Sequence, residues 1–276
     1  MELLNYINAC NGWNEKNYYH FVIDGKKLGF TRPEFAERLQ EFRDTFLIRN
    51  NTVELIFPGS SDEKTQRIRQ IARELGLPLK GEDYSMVQEW GGQEFTRLDR
   101  SHVPYFGIKA HGVHLIGYVQ KADGLYLWLG KRSKDKPVAP GQLDNLVAGG
   151  QPAGFSLPDN LAKECAEEAD IPEELAKKAA LTGLVSYKMD WQKGMRNDVL
   201  FCYDLEMPSD FVPRNTDGEV EEFILKPIEE VQEMLRNGAD FKFNVPLVII
   251  DFLIRRGFIT PENERNYCEI VTRLRS

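Results

Sequence analysis

An α+β fold, in which a mixed sheet flanked by helices follows a smaller α+β module, is predicted by three observations. The chain has 276 residues, 42% hydrophobic and 28% charged, the balance of a folded protein with material for one large or two ordinary cores. Short apolar runs are punctuated by Asp24-Gly25 and Asp123-Gly124, dipeptides that turn a strand back on itself. Capped helical stretches lie between the strand runs, and no internal period is visible, which sets aside repeat architectures.

Taken in order, residues 18–23 and 27–30 are strand-formers joined at Asp24-Gly25. Thr31 followed by Pro33 opens a helix through Leu39, and residues 53–57 read as another strand. Ser60 with Glu63 three residues on is a capping box, and Ile68, Ile71, Ala72 and Leu75 share one helical face before Gly76 ends it. This module, residues 1–108, carries no evident chemistry, but it runs on through Phe106-Gly107-Ile108 with no Ser/Gly linker, so it is expected to pack against the following domain and narrow its cleft. From His111 the pattern changes: Val113, Leu115 and Val119 alternate with more exposed positions, and Asp123-Gly124 returns the chain through residues 125–129. A basic, proline-bearing loop (131–141) leads to a short strand at 146–148 and to Gly149, Gly150 and Gly154. A helix follows, with Ser156 as its cap, Pro158 in its first turn and Pro172 beyond its end. Strands at 183–189, 198–205 and 220–225 and a helix at 227–236 complete a second domain, residues 109–238. The tail, 239–276, is expected to pack on that domain as helices at 244–256 and 261–274.

Several function classes are disfavoured by composition. With a net charge of −8 the chain lacks the electrostatic footprint of a nucleic-acid binder, so none is expected. The start does not read as a signal peptide, and the longest apolar run, 245–254, is broken by Asp251 and too short to span a bilayer, so no membrane partner is expected. Cys10, Cys165, Cys202 and Cys268 stand singly, which favours reduced thiols and a cytoplasmic setting. His20, His102, His111 and His114 show no zinc-type pairing.

Chemistry concentrates after the glycines. Glu164, Glu167 and Glu168 stand at i, i+3 and i+4, on one helical face, while Leu161, Cys165 and Ala169 line another. Carboxylates so grouped offer hard oxygen ligands to Mg²⁺, with Mn²⁺ as the alternative ion, and glycines let the backbone approach an ion or a phosphate closely. The plain alternative is a solvated acidic face, because like-charge pairs at these spacings cost only ~0.2–0.5 kcal/mol each. Residues 190–196 read as a long connection that presents Trp191 for stacking and Arg196 as a charge clamp. Tyr126 and Trp128 alternate on a strand, in the core or as a cleft wall, and Glu219, Glu221 and Glu222 fall on a late strand.

In its glycine-loop-helix context the glutamate triplet resembles the signature of the Nudix hydrolase family, G-x5-E-x7-R-E-U-x-E-E-x-G-U with U aliphatic. Gly149 falls on the first glycine, and Lys163-Glu164, Glu167-Glu168 and Ile171 fall on its second half. Three positions depart: Phe155 stands for the first glutamate, Lys163 for the arginine and Asp170 for the late glycine. Further motifs, among them 131–133, 140–145, 148–154, 203–205 and 217–221, resemble one Nudix subfamily of plants and fungi that carries an N-terminal extension, lacks the first glutamate too and is related to thiamin pyrophosphokinase-linked proteins.

That resemblance implies a Nudix fold and a Mg²⁺-dependent hydrolase that cleaves a small organic or nucleoside diphosphate. For the subfamily the implied substrate is oxidised, damaged thiamin diphosphate, converted to the monophosphate. It implies catalysis by Glu164, Glu167 and Glu168, a metal held by Glu164, Glu168 and the Gly149 carbonyl, and diphosphate contacts from Arg132 and Lys136, with Arg196 as the further clamp. Glu219, Glu221 and Glu222 read first as a solvent-facing strand edge, with one of them as general base the alternative, and a homodimer stands as the alternative to a monomer. Two rival readings are a non-catalytic Nudix-fold ligand-binding module and an enzyme similar to isopentenyl diphosphate isomerases, whose loop 131–141 resembles; no cysteine lies where the latter chemistry needs one.

Overall fold

The computed structural model describes residues 1–275. Asp24 and Gly25 both take positive φ (49° and 72°), the geometry of a tight hairpin that matches strand twist, and they join β1 (Tyr19–Ile23) to β2 (Lys26–Thr31). Helices α1 (Leu3–Cys10) and α2 (Pro33–Leu39) flank this hairpin in sequence. With β3 (Phe46–Arg49) and β4 (Thr52–Leu55) the hairpin forms a four-stranded sheet, order β2-β1-β4-β3, in which β1 and β4 run parallel. The capping box at Ser60 and Glu63 is formed in full and starts α3 (Ser61–Glu74), whose Ile68 and Ile71 join Phe21, Phe46, Val53 and Phe106 in a core of their own. A hairpin that the sequence pattern did not disclose, β5 (Asp83–Val87) with β6 (Glu94–Asp99), follows, and then the short α4 (Val103–Phe106).

The second sheet is built on β7 (Ala110–Lys121) and β8 (Gly124–Arg132). Next come β9 (Leu143–Asn145), β10 (Val147–Gly150), α5 (Leu157–Ala169), α6 (Glu173–Ala176), β11 (Ala180–Trp191), β12 (Gly194–Glu206) and β13 (Val220–Pro227). The path is β11-β12-β7-β8-β13, with β10 paired to β7 and β9 to β8, and β12 and β7 run parallel. Helices α7 (Ile228–Asn237), α8 (Val245–Arg255) and α9 (Tyr267–Arg273) close the chain. The mixed sheet flanked by helices, the N-terminal module and the C-terminal helices are thus as expected.

Strand alternation splits β12 and β8 between two layers. Leu200, Cys202, Leu127 and Leu129 face a core with α7, α8 and α9, whereas Phe201, Tyr203 and Trp128 face a core with Leu161, Cys165 and Ala169 of α5. Leu3, Ile7 and Cys10 of α1 lie in the first of these cores, so the opening helix covers the second sheet. Residues 190–196 are not a long connection. They are the tip of a hairpin that turns at Gln192-Lys193, where Gly194 has φ 149° and a Cβ would strike the Pro104 carbonyl. The last helix is shorter than expected, because residues 260–264 form a turn held by Asn263. Among the described residues no helix is long and apolar enough to cross a membrane.

Candidate active site

Burial of Leu161, Cys165 and Ala169 fixes the roll of α5 and turns Glu164 and Glu168 towards the glycine strand β10. Ser156 caps the helix by accepting from Asp159 N–H, and Asp170 ends it in the left-handed conformation (φ 53°) that the family pattern assigns to glycine. Glu168 is only 8% exposed, and its Oε2 accepts from the Ala148 N–H at 2.9 Å. The Glu164 side chain, 13% exposed, lies against Gly149 so closely that a Cβ there would overlap its carboxylate. Gly149 therefore provides clearance. Its carbonyl does not face the glutamates: Ala148 N–H and Gly150 C=O point to α5, while Gln151 N–H bonds His111 O on β7, and alternation turns Gly149 to β7 as well. The backbone oxygen on the glutamate side next to Gly149 is that of Ala148.

Electrostatics separate the three glutamates. Burial raises Glu168 to about 8 against the pull of the Ala148 N–H, and the carboxylates of Asp144, Glu164 and Glu219 push it the same way. Glu164 is also raised, by burial first, with Lys163 pulling it back. Glu167 is 48% exposed and paired at 2.6 Å with Lys163, whose amine also lies 3.3 Å from Glu164. Among the described residues no group of three His, Cys, Asp or Glu side chains is placed to hold an ion, so Glu167 stands apart. Two buried carboxylates that repel one another and lie beside a backbone oxygen nonetheless fit a hard divalent cation, which takes one or two carboxylates and fills its shell with water and substrate phosphate.

The cationic candidates fall into different places. Lys136 pairs with Glu219, which lines one small pocket with Glu168, Asp144 and Arg132. Burial would raise Glu219, but Lys136, Arg132 and Arg100 hold it below the usual range. Arg132 is largely committed within its own loop: it donates to the Val138 and Ala139 carbonyls and to Asp144 at 2.6 Å, which holds the loop in shape. Of the other late glutamates, Glu221 lies 3.3 Å from Lys131 and Glu222 is exposed.

Arg196 lies on the face opposite α5, stacked 4.4 Å over Trp191 and paired with Asp198, which also receives the Tyr187 hydroxyl. An even offset of four residues from Leu200 keeps it on the α8 side of the sheet, which removes it and Trp191 from the glutamate site. Arg196→Gln should accordingly lower stability by about 1–2 kcal/mol through the lost stacking and pairing, and leave KM unchanged; thermal melts and steady-state kinetics check both.

Sequence reasoning expected the N-terminal module to narrow the cleft but did not single out the residues that line it. Tyr84, Trp90 and Glu94 of its second hairpin face Lys109, His111 and Phe155 across a cleft of about 260 Å³ that opens beside the glycine loop. Trp90 sits edge-on to His111 (5.0 Å) and Phe201 (5.1 Å), and burial brings the His111 imidazole down to about 4, so it is neutral. The only advance signal was the aromatic content of 84–95. Asp144 and Lys242 were missed as well; their pairing at 2.9 Å ties the C-terminal segment to β9 of the second domain.

A sheet-and-helix site that sets buried carboxylates beside cations and a small cleft defines an enzyme for a phosphate-bearing small molecule. Residues 1–110 match a family model described as a domain of unknown function, DUF4743. Over 98% of its length the chain is 42% identical to Nudix hydrolase 20, chloroplastic, of Arabidopsis thaliana, covering 76% of that protein. It is 39% identical to Nudix hydrolase 24, chloroplastic, of the same plant, again covering 76% of it. Among solved structures, DR0079 of Deinococcus radiodurans aligns with a TM-score of 0.48 and 16% identity, over 62% of this chain and 98% of that one. The chain belongs to the Nudix hydrolase family, and it is an enzyme of the diphosphate-hydrolysing class. Both plant relatives are named chloroplastic, which overturns the cytoplasmic setting expected from the cysteines. Unpaired thiols report a reducing environment, and more than one compartment provides that.

Proposed function

We propose that the protein is a Mg²⁺-dependent hydrolase of a small organic diphosphate, with oxidised thiamin diphosphate as the leading substrate and its monophosphate as product. The observation that carries this reading is the pair of glutamates, Glu168 buried and Glu164 half-buried, drawn onto β10 beside the cation-bearing loop 131–142. Glu164, Glu168 and the Ala148 carbonyl would hold the ion, whose chemistry is to offset phosphate charge and make water a competent nucleophile. Glu219, ionised and across the pocket from Glu168, takes the proton of the attacking water at its carboxylate. Lys163 restrains Glu164 and Glu167 where the family pattern has arginine. The three segments 1–108, 109–238 and 239–276 act together, because the first supplies one wall of the cleft.

Support for a heterocycle rather than a dinucleotide comes from the size of the cleft, about 260 Å³, just below the ~300–1,000 Å³ of small-molecule pockets. Its aromatic wall at Trp90 and the carboxylate of Glu94 suit a flat or cationic ring. With Mg²⁺ present, competition among oxidised thiamin diphosphate, thiamin diphosphate, ADP-ribose and NADH should favour the first. A preference of about tenfold or more for either nucleotide would overturn the thiamin assignment.

A further inference from the structure

The segment 80–100 of the N-terminal module carries two cations, Lys80 and Arg100, that nothing assigned so far uses. The Asp99 carboxylate fixes their backbone, accepting from Lys80 N–H (3.1 Å), Gly81 N–H (2.8 Å) and Ser101 N–H (2.9 Å). Ala153 N–H bonds Asp83 O at 2.8 Å and ties β5 to the glycine loop. The Tyr84 hydroxyl fills the space where Gly150 would carry a Cβ, and the Arg100 guanidinium carbon is 3.5 Å from that point. Arg100 thus reaches the residue next to Gly149, on which Glu164 rests.

Availability distinguishes Arg100 from Arg132. Its side chain is 46% exposed, it lies 5.8 Å over the Tyr84 ring, and among the described residues it donates only to Glu82, at 2.8 Å. Lys80 is exposed and has no ion-pair partner among the described residues. Partial desolvation, then the charges of Arg100 and Lys136, lower its amine below the usual range against the opposing pull of Glu82 and Glu219, so Lys80 feels cations from two parts of the chain. Cations crowded together repel, and an anion with several oxygens relieves all of them at once; a guanidinium edge fits two phosphate oxygens.

We propose that Arg100 and Lys80 of the N-terminal module, with Lys136 opposite, are the binding cations for the substrate's diphosphate, so that the extension completes the site. The proposal rests on the hydrolase reading for what the anion is attached to, and its test is independent of turnover. The probe is methylenediphosphonate, a diphosphate analogue whose carbon bridge resists hydrolysis, titrated calorimetrically into the full chain with Mg²⁺. Arg100→Gln should bind it about 10–100-fold more weakly, and Lys80→Met more weakly by a smaller factor. Arg100→Lys, which keeps the charge near Glu82 but loses the fork, should recover part of the binding. Glu82→Gln breaks the same ion pair and leaves the cation, and it should bind at least as tightly as wild type.

Absence of binding by the wild type, equal binding by Arg100→Gln and Lys80→Met, or a loss in Glu82→Gln as large as in Arg100→Gln overturns the proposal. A wild type that binds the probe with this pattern yet hydrolyses no diphosphate supports the clamp and refutes the hydrolase reading.

Discussion

Glu164→Gln and Glu168→Gln should each lower turnover by ~10²–10³-fold at saturating Mg²⁺, the equivalent of ~2.7–4 kcal/mol of transition-state stabilisation at ~1.36 kcal/mol per decade. Each replacement keeps the shape and removes one charge. In the second, the amide oxygen can still accept from the Ala148 N–H that Glu168 Oε2 meets at 2.9 Å, so the variant is expected to fold. Stability provides the control, with a sign opposite to that of activity. Without metal the folded protein holds Glu168 at about 8, above the ordinary carboxylate value, so between that value and pH 8 it keeps a proton that the unfolded chain releases. Wild-type stability therefore falls as pH rises through this window, whereas Glu168→Gln has no such loss. Melting curves from pH 5 to 8 should show the variant gaining on the wild type as its activity stays low. Full turnover in both folded variants would remove these glutamates from the mechanism.

Glu164 and Glu168 were legible in the sequence because their signal is local. A helix of period 3.6, a serine cap and glycines just upstream place carboxylates on one face without knowledge of the rest of the chain. The hairpin at Asp24-Gly25 and the helix capped by Ser60 were readable for the same reason. Arg196 was misplaced because a strand residue's face depends on register, and the turn at Gln192-Lys193 was taken for a long connection. The bonds of Arg132 to the Val138 and Ala139 carbonyls and to Asp144 are a commitment that spacing cannot show. The β5–β6 hairpin escaped notice since its strands are short and the bulge between Met86 and Val87 breaks the alternation. The chemistry of Arg100 and Tyr84 arises only when that hairpin meets Gly150, a contact between residues far apart in sequence.

Lys242→Met should destabilise the protein by ~3–5 kcal/mol, because it takes one of two cationic partners from a buried carboxylate. Asp144 is 5% exposed and receives Lys242 Nζ at 2.9 Å and Arg132 Nη1 at 2.6 Å, while its neighbour Asn145 bonds His114 Nδ1 at 2.8 Å. Burial alone would raise the Asp144 carboxyl, yet Lys242, His114 and Arg132 hold it at about 2. Lys242 is itself lowered by burial and sustained by Asp144, so each charge depends on the other. At ~2–4 °C per kcal/mol for a chain of this size, the melting temperature should drop by roughly 6–20 °C. The pH dependence gives a second readout. In the wild type a depressed carboxyl contributes stability that is complete above its unfolded value and is lost as pH falls towards about 2. With Lys242 gone, Asp144 protonates at higher pH and sheds its penalty sooner, so the gap between the two proteins should narrow on acidification. Since Asp144 also positions Arg132 and lies beside Glu168, the variant should lose turnover even where it remains folded. A variant that melts with the wild type at neutral pH would show that Arg132 alone suffices to compensate Asp144, and that Lys242 is dispensable to the site.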